Sequence, residues 1–198
     1  MEEAAAKEEL SESYNTFELR YDFQQSADAN CEAIQNKLKR FMRKAAWTNG
    51  VKLETLRFKE IIFTDQMTSV LTKMFRLCHV CFISWETLSF DTCVQNYEFR
   101  EVLTEAMIHN AMFSEIELVC QPVDMLESIF VNHPEADELD QDTTAALRDA
   151  IIVATRERRR SVENLVIRGY TLESKSSLMN LCQCVASIQQ QGSTLTRL

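Results

Sequence analysis

The sequence predicts an all-α protein, a multi-helix bundle built around a central buried helix. Three observations lead to this fold class. Glycine and proline are scarce, at 3 and 2 of 198 residues, which favours long helices over tight turns. Hydrophobic residues make up 45% of the chain, enough for a globular core. Between about residues 65 and 90, apolar side chains cover so much of a helix circumference that burial on several sides is expected.

Composition and charge divide this predicted bundle into four parts. Residues 1–25 are expected to form an acidic, partly flexible arm, and residues 26–131 the main helical bundle. Residues 132–142 hold a proline and a run of acidic groups, which predicts a linker. Residues 143–198 are expected to form a smaller helical C-terminal lobe. No internal repeat is evident in this pattern.

Individual helices are placed by apolar spacing and by residues that start or stop helices. Ser26 or Asp28 can cap the first helix of the bundle, and Asp65 can cap the central one. Between them, residues 51–63 favour a short helix, although a strand is possible. Later helices are expected over 97–113, with a break near Ser114 and Glu117, over 123–131, over 143–168 before Gly169, and from Thr171 onward. The predicted inward side chains are Phe99, Val102, Leu103, Ala106 and Met107 in the 97–113 helix, and Leu178, Leu181, Cys182, Val185 and Ile188 in the last helix.

Charge is distributed along the chain in blocks of alternating sign. The net charge is −9, and residues 1–36, 37–76, 77–155 and 156–198 contribute −7, +7, −13 and +4 to it. Opposed blocks can neutralise each other within one fold, or they can pair between molecules and drive self-association. The sequence leaves both alternatives open.

The helix that follows Ser26 is the most clearly amphipathic element and provides the first candidate site. Its apolar positions are Cys31, Ile34, Leu38, Phe41, Met42 and Ala45. The candidate residues on the opposite side are Lys37, Lys39, Arg40, Arg43 and Lys44, with Trp47 beside them. A basic helix face flanked by Trp can bind anionic lipid headgroups or nucleic-acid phosphates. The alternative is a surface helix whose cations pair with acidic blocks of the same chain.

Two further candidate sites come from short stretches nearer the C-terminus. A second basic cluster consists of Arg156, Arg158, Arg159 and Arg160. These arginines surround their helix, so they form either a solvated turn or a docking point for phosphate or an acidic surface. Thr196 and Leu198 fit the pattern of a free carboxyl tail that a PDZ-type partner captures in its groove.

The cysteines form two close pairs that could suggest metal or redox chemistry. Cys78 and Cys81 make a C-x-x-C, Cys182 and Cys184 lie two residues apart, and two such pairs can hold zinc. The first pair lies within an apolar helical pattern, however, and lacks the helix start after a strand that lowers a thiolate pKa. Buried core thiols are therefore the favoured interpretation.

No residue is assigned to catalysis, to a cofactor or to a metal. The three histidines lack metal-ligand spacing, and no glycine motif for phosphate binding occurs. The chain is accordingly predicted not to be an enzyme and to have no small-molecule substrate.

These observations predict a non-catalytic helical assembly or adaptor protein. It is expected to self-associate through complementary charged faces and to present its basic helix to an anionic surface such as membrane headgroups; a viral matrix-type role is an analogy only. The alternative is a nucleic-acid-binding regulator that uses the basic helix and the arginine cluster. Without an apolar leader or a membrane-length apolar run, and with seven scattered cysteines, the expected location is intracellular, cytoplasmic or nuclear, with peripheral membrane attachment as an option.

Overall fold

The computed structural model describes residues 16–46, 51–80, 83–109, 113–120, 138–158, 162–172 and 175–190. Across these residues the chain is an α/β protein with a parallel sheet, so the predicted all-α bundle is wrong. In chain order the elements are β1 (Thr16–Arg20), α1 (Ala27–Ala46), β2 (Val51–Lys59), α2 (Asp65–Val80), β3 (Ile83–Asp91), α3 (Tyr97–His109), β4 (Glu115–Val119), β5 (Glu138–Leu139), α4 (Gln141–Arg158), β6 (Asn164–Arg168), β7 (Thr171–Leu172) and α5 (Lys175–Gln190).

The five longer strands lie side by side in the order in which they occur along the chain. The sheet order is β1-β2-β3-β4-β6, and every neighbouring pair is parallel. A helix lies in the chain between each of these strands and the next, while β5 and β7 form a separate parallel pair. Each β–α unit therefore repeats the same step along the sheet, as in solenoid proteins, where units contact their immediate neighbours.

The five described helices form one layer. Each helix packs against the next one, from α1 and α2 to α4 and α5, which helices on opposite faces of a sheet could not do. Neighbouring helices need about 8–10 Å of separation, whereas neighbouring strands lie about 4.8 Å apart. From this difference in spacing we infer that the sheet curves away from the described helices, with a concave helix-free side.

Two rows of apolar side chains hold the sheet to the helix layer. In register across the strands, the rows are Phe17, Leu56, Leu88, Ile116 and Leu165, and Leu19, Phe58, Phe90, Leu118 and Ile167. All are buried apart from Ile167, which is half-buried. Phe58 stacks on Phe90 with ring centroids 5.1 Å apart, and Phe99 of α3 meets Phe90 edge-on at 4.8 Å. Burial of one such side chain contributes about 1.5–3 kcal/mol, so these rows are the main source of cohesion.

The apolar rows belong to a repeat, contrary to the expectation that the sequence contains none. An apolar residue is followed three positions later by a second and two positions after that by a third. The repeated triplets are Leu53-Leu56-Phe58, Trp85-Leu88-Phe90, Phe113-Ile116-Leu118 and Val162-Leu165-Ile167, and in the sequence Tyr14-Phe17-Leu19 has the same spacing. A step of three followed by a step of two matches neither strand alternation nor helical periodicity, so a search for either period overlooks it.

The predicted central helix is in fact two elements. Residues 65–90 contain α2 and β3, and the end of α2 is not enclosed, since Leu77 and Val80 are 50% and 69% exposed. Trp85 and Leu88, which fit the helical arc in the sequence, are fully buried side chains of the strand. A short apolar run fits a helix or a strand equally well, and here residues 83–91 form a strand of the sheet.

Three other predicted segments contain strands. Residues 51–63 contain β2, so the strand alternative for that segment is correct. The helix predicted over 143–168 ends as α4 at Arg158 and is followed by β6. The predicted helix break at Ser114 and Glu117 is occupied by β4. β4 and β6 have only five residues each, too few for periodicity to identify a strand.

The predicted helix after Ser26 is found as α1, and the helix predicted over 97–113 is found as α3, which ends at His109. Ser26 caps α1, because its Oγ accepts a hydrogen bond from the Ala29 backbone N–H at 3.2 Å. All five predicted inward side chains of α3 are buried. The cap of α2 is Thr64 rather than Asp65, since Thr64 Oγ1 accepts a hydrogen bond from the Met67 N–H at 3.3 Å.

The C-terminal half departs further from its predicted helices. In α5 the predicted inward side chains Leu178 and Cys182 are exposed, while Cys184 is buried. The helix predicted over 123–131 lies outside the described residues, as does most of the predicted linker, in which Leu139 is buried within β5. One sheet contains both β1, from the predicted arm, and β6, from the predicted lobe.

Three strands are followed directly by a residue with left-handed backbone conformation. Glu60, Thr92 and Gly169 come after β2, β3 and β6, with φ of 55°, 56° and 76°. A Cβ atom at Gly169 would lie 2.0 Å from the carbonyl oxygen of Cys120. Glycine is therefore required at this position by the φ angle and by the close approach of the chain that follows β4.

Replacing Gly169 with alanine should lower the free energy of unfolding by about 2–4 kcal/mol, because the new Cβ strains the backbone and displaces the Cys120 carbonyl. Urea unfolding followed by far-UV circular dichroism measures the change. Gly169→Asn separates the two causes, since asparagine tolerates positive φ but carries the same Cβ. A Gly169→Asn protein as stable as the wild type would contradict the close approach.

Two neighbouring residues of β3 test which side of the sheet faces the helices. Leu88→Ala should destabilise the protein by about 2–5 kcal/mol, because it empties space in an apolar row. Thr87→Ala, on the helix-free side, should change the stability by no more than about 0.5 kcal/mol. Thermal unfolding of both variants gives the comparison, and equal losses would argue against the alternation described here.

Candidate functional site

The first candidate surface is the basic face of α1, which we define as Lys37, Lys39, Arg40 and Arg43. α1 connects the first two strands and therefore lies at the outer end of the helix layer. Its apolar side is buried through Cys31, Ile34, Leu38 and Phe41. The Phe41 ring lies 4.3 Å from the Phe17 ring of β1, which fixes the rotation of the helix. The four cations consequently project away from the core, and all four are exposed.

The basic face keeps its charge within the described part of the chain. Lys37 Nζ donates to the Glu18 carbonyl oxygen at 2.6 Å and lies 5.6 Å from the Phe17 ring centroid. Arg40 Nε donates to the Asn36 carbonyl oxygen at 3.4 Å. Among the described residues, none of the four cations forms an ion pair with a carboxylate. The positive charge of the basic face is therefore not neutralised by the carboxylates of the described residues.

Two other residues of this predicted site are not fully placed. Lys44 belongs to α1, but its side chain is not described, and Trp47 lies outside the described residues.

The second candidate surface is the concave side of the sheet. Three register rows point away from the helices: Thr16, Thr55, Thr87, Glu115 and Asn164; Glu18, Arg57, Ser89, Glu117 and Val166; and Arg20, Lys59, Asp91, Val119 and Arg168. We call these residues the sheet face. Most of them are polar or charged, and none of the described helices covers them. Ser89 and Asp91 on the central strand are nevertheless buried, so the accessible groups of the face belong to the strands on either side of β3.

The sheet face carries charges of both signs, and Glu18 and Asp91 lie in register beside Arg57 and Lys59. Cations Arg57 and Lys59 lie on β2, and carboxylates Glu115 and Glu117 lie on β4, with β3 between them. Lys59 Nζ is 3.9 Å from Asp91 Oδ2. The two β4 carboxylates are half-buried, and within the described ranges neither forms an ion pair. Their register neighbours are all uncharged: Thr87, Ser89, Asn164 and Val166.

Arg57 lies in the middle register row of the sheet face, and its Nε–H donates no hydrogen bond to the described residues. It lies in register between Glu18 and Ser89, and its Nε is buried without a hydrogen-bond acceptor among the described residues. A buried donor without an acceptor costs about 1–3 kcal/mol. An acceptor supplied by a bound partner would therefore be favourable here.

A depression of about 540 Å³ lies at the end of the sheet where β1 and β2 finish. It is lined by Arg20, Tyr21, Asp22, Phe23, Gln24 and Glu60. The buried Glu60 carboxylate is met by Arg20, whose Nε and Nη2 lie 2.8 and 2.7 Å from Glu60 Oε2. This pair ties the end of β1 to the residue after β2, which is a structural role.

The predicted cysteine pairs are not brought together. Cys78 is buried in α2, with its Sγ 3.9 Å from Met42 Sδ, whereas Cys182 and Cys184 lie on α5, beyond α3 and α4 in the layer. Cys81 lies outside the described residues. Among the residues that are described, no group of three or more His, Cys, Asp and Glu side chains is placed to hold a metal ion.

The remaining predicted sites are only partly covered by the structure. Arg156 is exposed on α4, and Arg158 ends that helix, although its side chain is not described. Arg159 and Arg160 lie outside the described residues, as do Thr196 and Leu198 in the range 191–198. The sequence does not predict the sheet face, because β2, β3 and β6 fall in segments predicted as helices, β1 in the predicted arm and β4 at the predicted helix break. The repeated apolar triplets are the signal that identifies these strands.

Comparison of the chain with protein-family models, with curated proteins and with solved structures finds no match. Within the described part of the chain, no helix combines the length and the apolar character needed to cross a membrane.

Thiol reactivity distinguishes the two cysteines of α5. Cys182 is exposed and should be the first of the described cysteines to react with iodoacetamide at about pH 8, because the thiolate is the nucleophile. Burial raises the pKa of Cys184 to about 12 and also raises the pKa of Cys93, which keeps both thiols protonated. Peptide mass spectrometry after brief labelling of the native protein gives the order, with Cys182→Ser as the control. Faster labelling of Cys184 would contradict this placement.

Proposed function

We propose that this protein is a non-catalytic adaptor that attaches to an anionic membrane surface through the basic face of α1. The observation that carries the proposal is the exposure of four cations on α1, at one end of the described helix layer, without an ion-pair partner among the described residues. Cations in this state retain their attraction for an external anion.

The attachment should be electrostatic. The apolar side of α1, including Ile34 and Leu38, is buried in the core and is not available to insert between lipid chains. A cation close to an anionic leaflet contributes about 1 kcal/mol, so four contribute about 4 kcal/mol, which corresponds to a millimolar affinity. Attachment of this strength is reversible and weakens as salt increases.

The charge of the whole chain supports the same orientation. The net charge is −9, and the basic face of α1 belongs to the most basic of the four charge blocks, residues 37–76. An anionic surface therefore attracts α1 and repels the acidic remainder of the protein. The protein should meet the membrane with α1 turned toward it.

A nucleic acid is the less favoured anion. A nucleic-acid site would combine α1 with the second basic cluster, but Arg156 lies on α4, and α2 and α3 lie between the two helices in the layer. At about 8–10 Å per helix, this separation is roughly 25–30 Å. Among the described residues the two clusters are therefore not one continuous basic surface.

Vesicle flotation with a charge-reversal variant tests the proposal. Arg40→Glu/Arg43→Glu should partition at least about thirty-fold less onto vesicles in which about a third of the lipid is phosphatidylserine, because two cations of about 1 kcal/mol each are lost. Lys73→Glu/Lys175→Glu has the same change in net charge at exposed positions of α2 and α5, and should float like the wild type.

Three outcomes would count against membrane attachment by α1. One is a wild-type protein that does not float at low salt, and another is an equal loss in both charge-reversal variants. The third is a gel-shift assay in which wild-type protein binds single-stranded RNA but not vesicles, with binding lost in Arg40→Glu/Arg43→Glu. That result would favour the nucleic-acid alternative.

A further inference from the structure

We propose that α1 also docks onto the sheet face of a second copy of this chain, so that self-association and membrane attachment use the same helix. The docking itself is independent of the proposed function. Its competition with a membrane rests on that function.

Two charged groups of the sheet face lack partners among the described residues and could bind a second molecule. On β2, Arg57 has a buried Nε without an acceptor among the described residues, and on β4, Glu117 is in no ion pair within the same residues. Both lie in one register row, with β3 between them. At about 4.8 Å per strand, the two positions are about 10 Å apart. A matching partner therefore presents an anion and a cation at that distance.

The exposed side of α1 presents this pattern with the signs reversed. Glu32 and Lys39 are both exposed and lie seven residues apart, which puts them on the same side of the helix about 10 Å apart along its axis. Arg43 follows Lys39 by one turn on that side. When α1 lies across the strands, Glu32 meets Arg57 and Lys39 meets Glu117 of β4, while Arg43, about 6 Å further along the helix axis, lies on the side of β4 away from Arg57.

Shape and area define the kind of contact. The concave sheet face accepts a convex helix, whereas two concave faces would touch only at their rims. Five strands of about five residues span about 24 by 17 Å, or about 400 Å², roughly half of the 800 Å² that each partner contributes to a standard interface. The association should therefore be weak, reversible and sensitive to salt.

The contact joins two different surfaces, so it is heterologous. Each docked pair leaves one α1 and one sheet face unused, and such contacts extend into open chains or close into rings. In an open chain, only one terminal copy has a basic face that is free to meet a membrane. Self-association at high local concentration therefore withdraws the helix from the membrane.

Sedimentation velocity with charge-swapped variants tests the docking on the full chain. Wild-type protein at about 0.1 mM should associate at low salt and dissociate at high salt. Lys39→Glu/Arg43→Glu and Glu115→Lys/Glu117→Lys should each be monomeric, because each brings like charges together. An equimolar mixture of the two should associate again, since the acidic helix of one meets the basic sheet face of the other. Lys73→Glu/Lys175→Glu is the matched control and should associate like the wild type.

A wild type that stays monomeric at low salt would overturn the docking. So would a mixture that stays monomeric while circular dichroism shows both variants folded. If a charge-reversal variant does not fold, Glu117→Gln and Lys39→Gln replace it, and each should lower the association constant about tenfold. An unchanged association constant in both milder variants also overturns the docking.

Flotation of Glu115→Lys/Glu117→Lys separates this inference from the proposed function, because the variant retains an intact α1. It should float at least as well as the wild type on phosphatidylserine vesicles. If the charge-swap mixture associates but neither this variant nor the wild type floats, the proposed function fails and the docking stands. If the wild type floats but remains monomeric at low salt, the docking fails and the proposed function stands.

Discussion

The packing of two apolar rows of the sheet against a single layer of helices is the constraint on which the rest of the structure depends. These rows run through all five strands, and Phe58, Phe90 and Phe99 join the sheet to α3 in their middle. Because every described helix lies on the same side, the core uses one face of the sheet and leaves the other to polar residues. The same arrangement puts α1 at the end of the layer, where it has a broad exposed side.

Some charges of the four sequence blocks form ion pairs within the fold, and others do not. Some charges pair within the chain: Arg20 with Glu60, and Arg100 with Asp140 at 2.7 Å, which links α3 to the residue before α4. Others, on the basic face of α1 and on β4, have no ion-pair partner among the described residues. Intramolecular neutralisation is therefore incomplete within this part of the chain, and the surfaces it leaves charged are those to which we assign binding.

The sequence predicts helices well where they are long and amphipathic, and it fails at the strands, both the nine-residue β2 and β3 and the shorter β4 and β6. α1 and α3 are predicted because a period of 3.6 residues recurs over several turns, and their inward side chains follow from it. β4 and β6 have five residues each, and an apolar pattern this short is compatible with a helix as well as with a strand. The scarcity of glycine also misled the prediction of fold class. β2 and β3 each turn into the following helix through a short connection, and Glu60 and Thr92 in these connections adopt left-handed conformations without glycine.

Of the two candidate sites, the one on a single helix could be predicted from the sequence, and the one formed by several strands could not. The exposure of Lys39 and Arg43 could be predicted because it depends only on the rotation of one amphipathic helix. The sheet face could not, because Arg57 and Glu117 become neighbours only when three strands align in register. Such contacts depend on chain topology, which local periodicity does not encode.

The consecutive order of the strands also determines where the molecule can come apart. In the described sheet, β1 and β6 each border one strand, whereas the strands between them border two. A unit with a single neighbour breaks the fewest contacts when it detaches, so fraying begins at the two ends and reaches β3 last. The helix that we assign to the membrane, α1, is thus part of a terminal unit that can detach by local unfolding while β3 and its neighbouring strands stay folded.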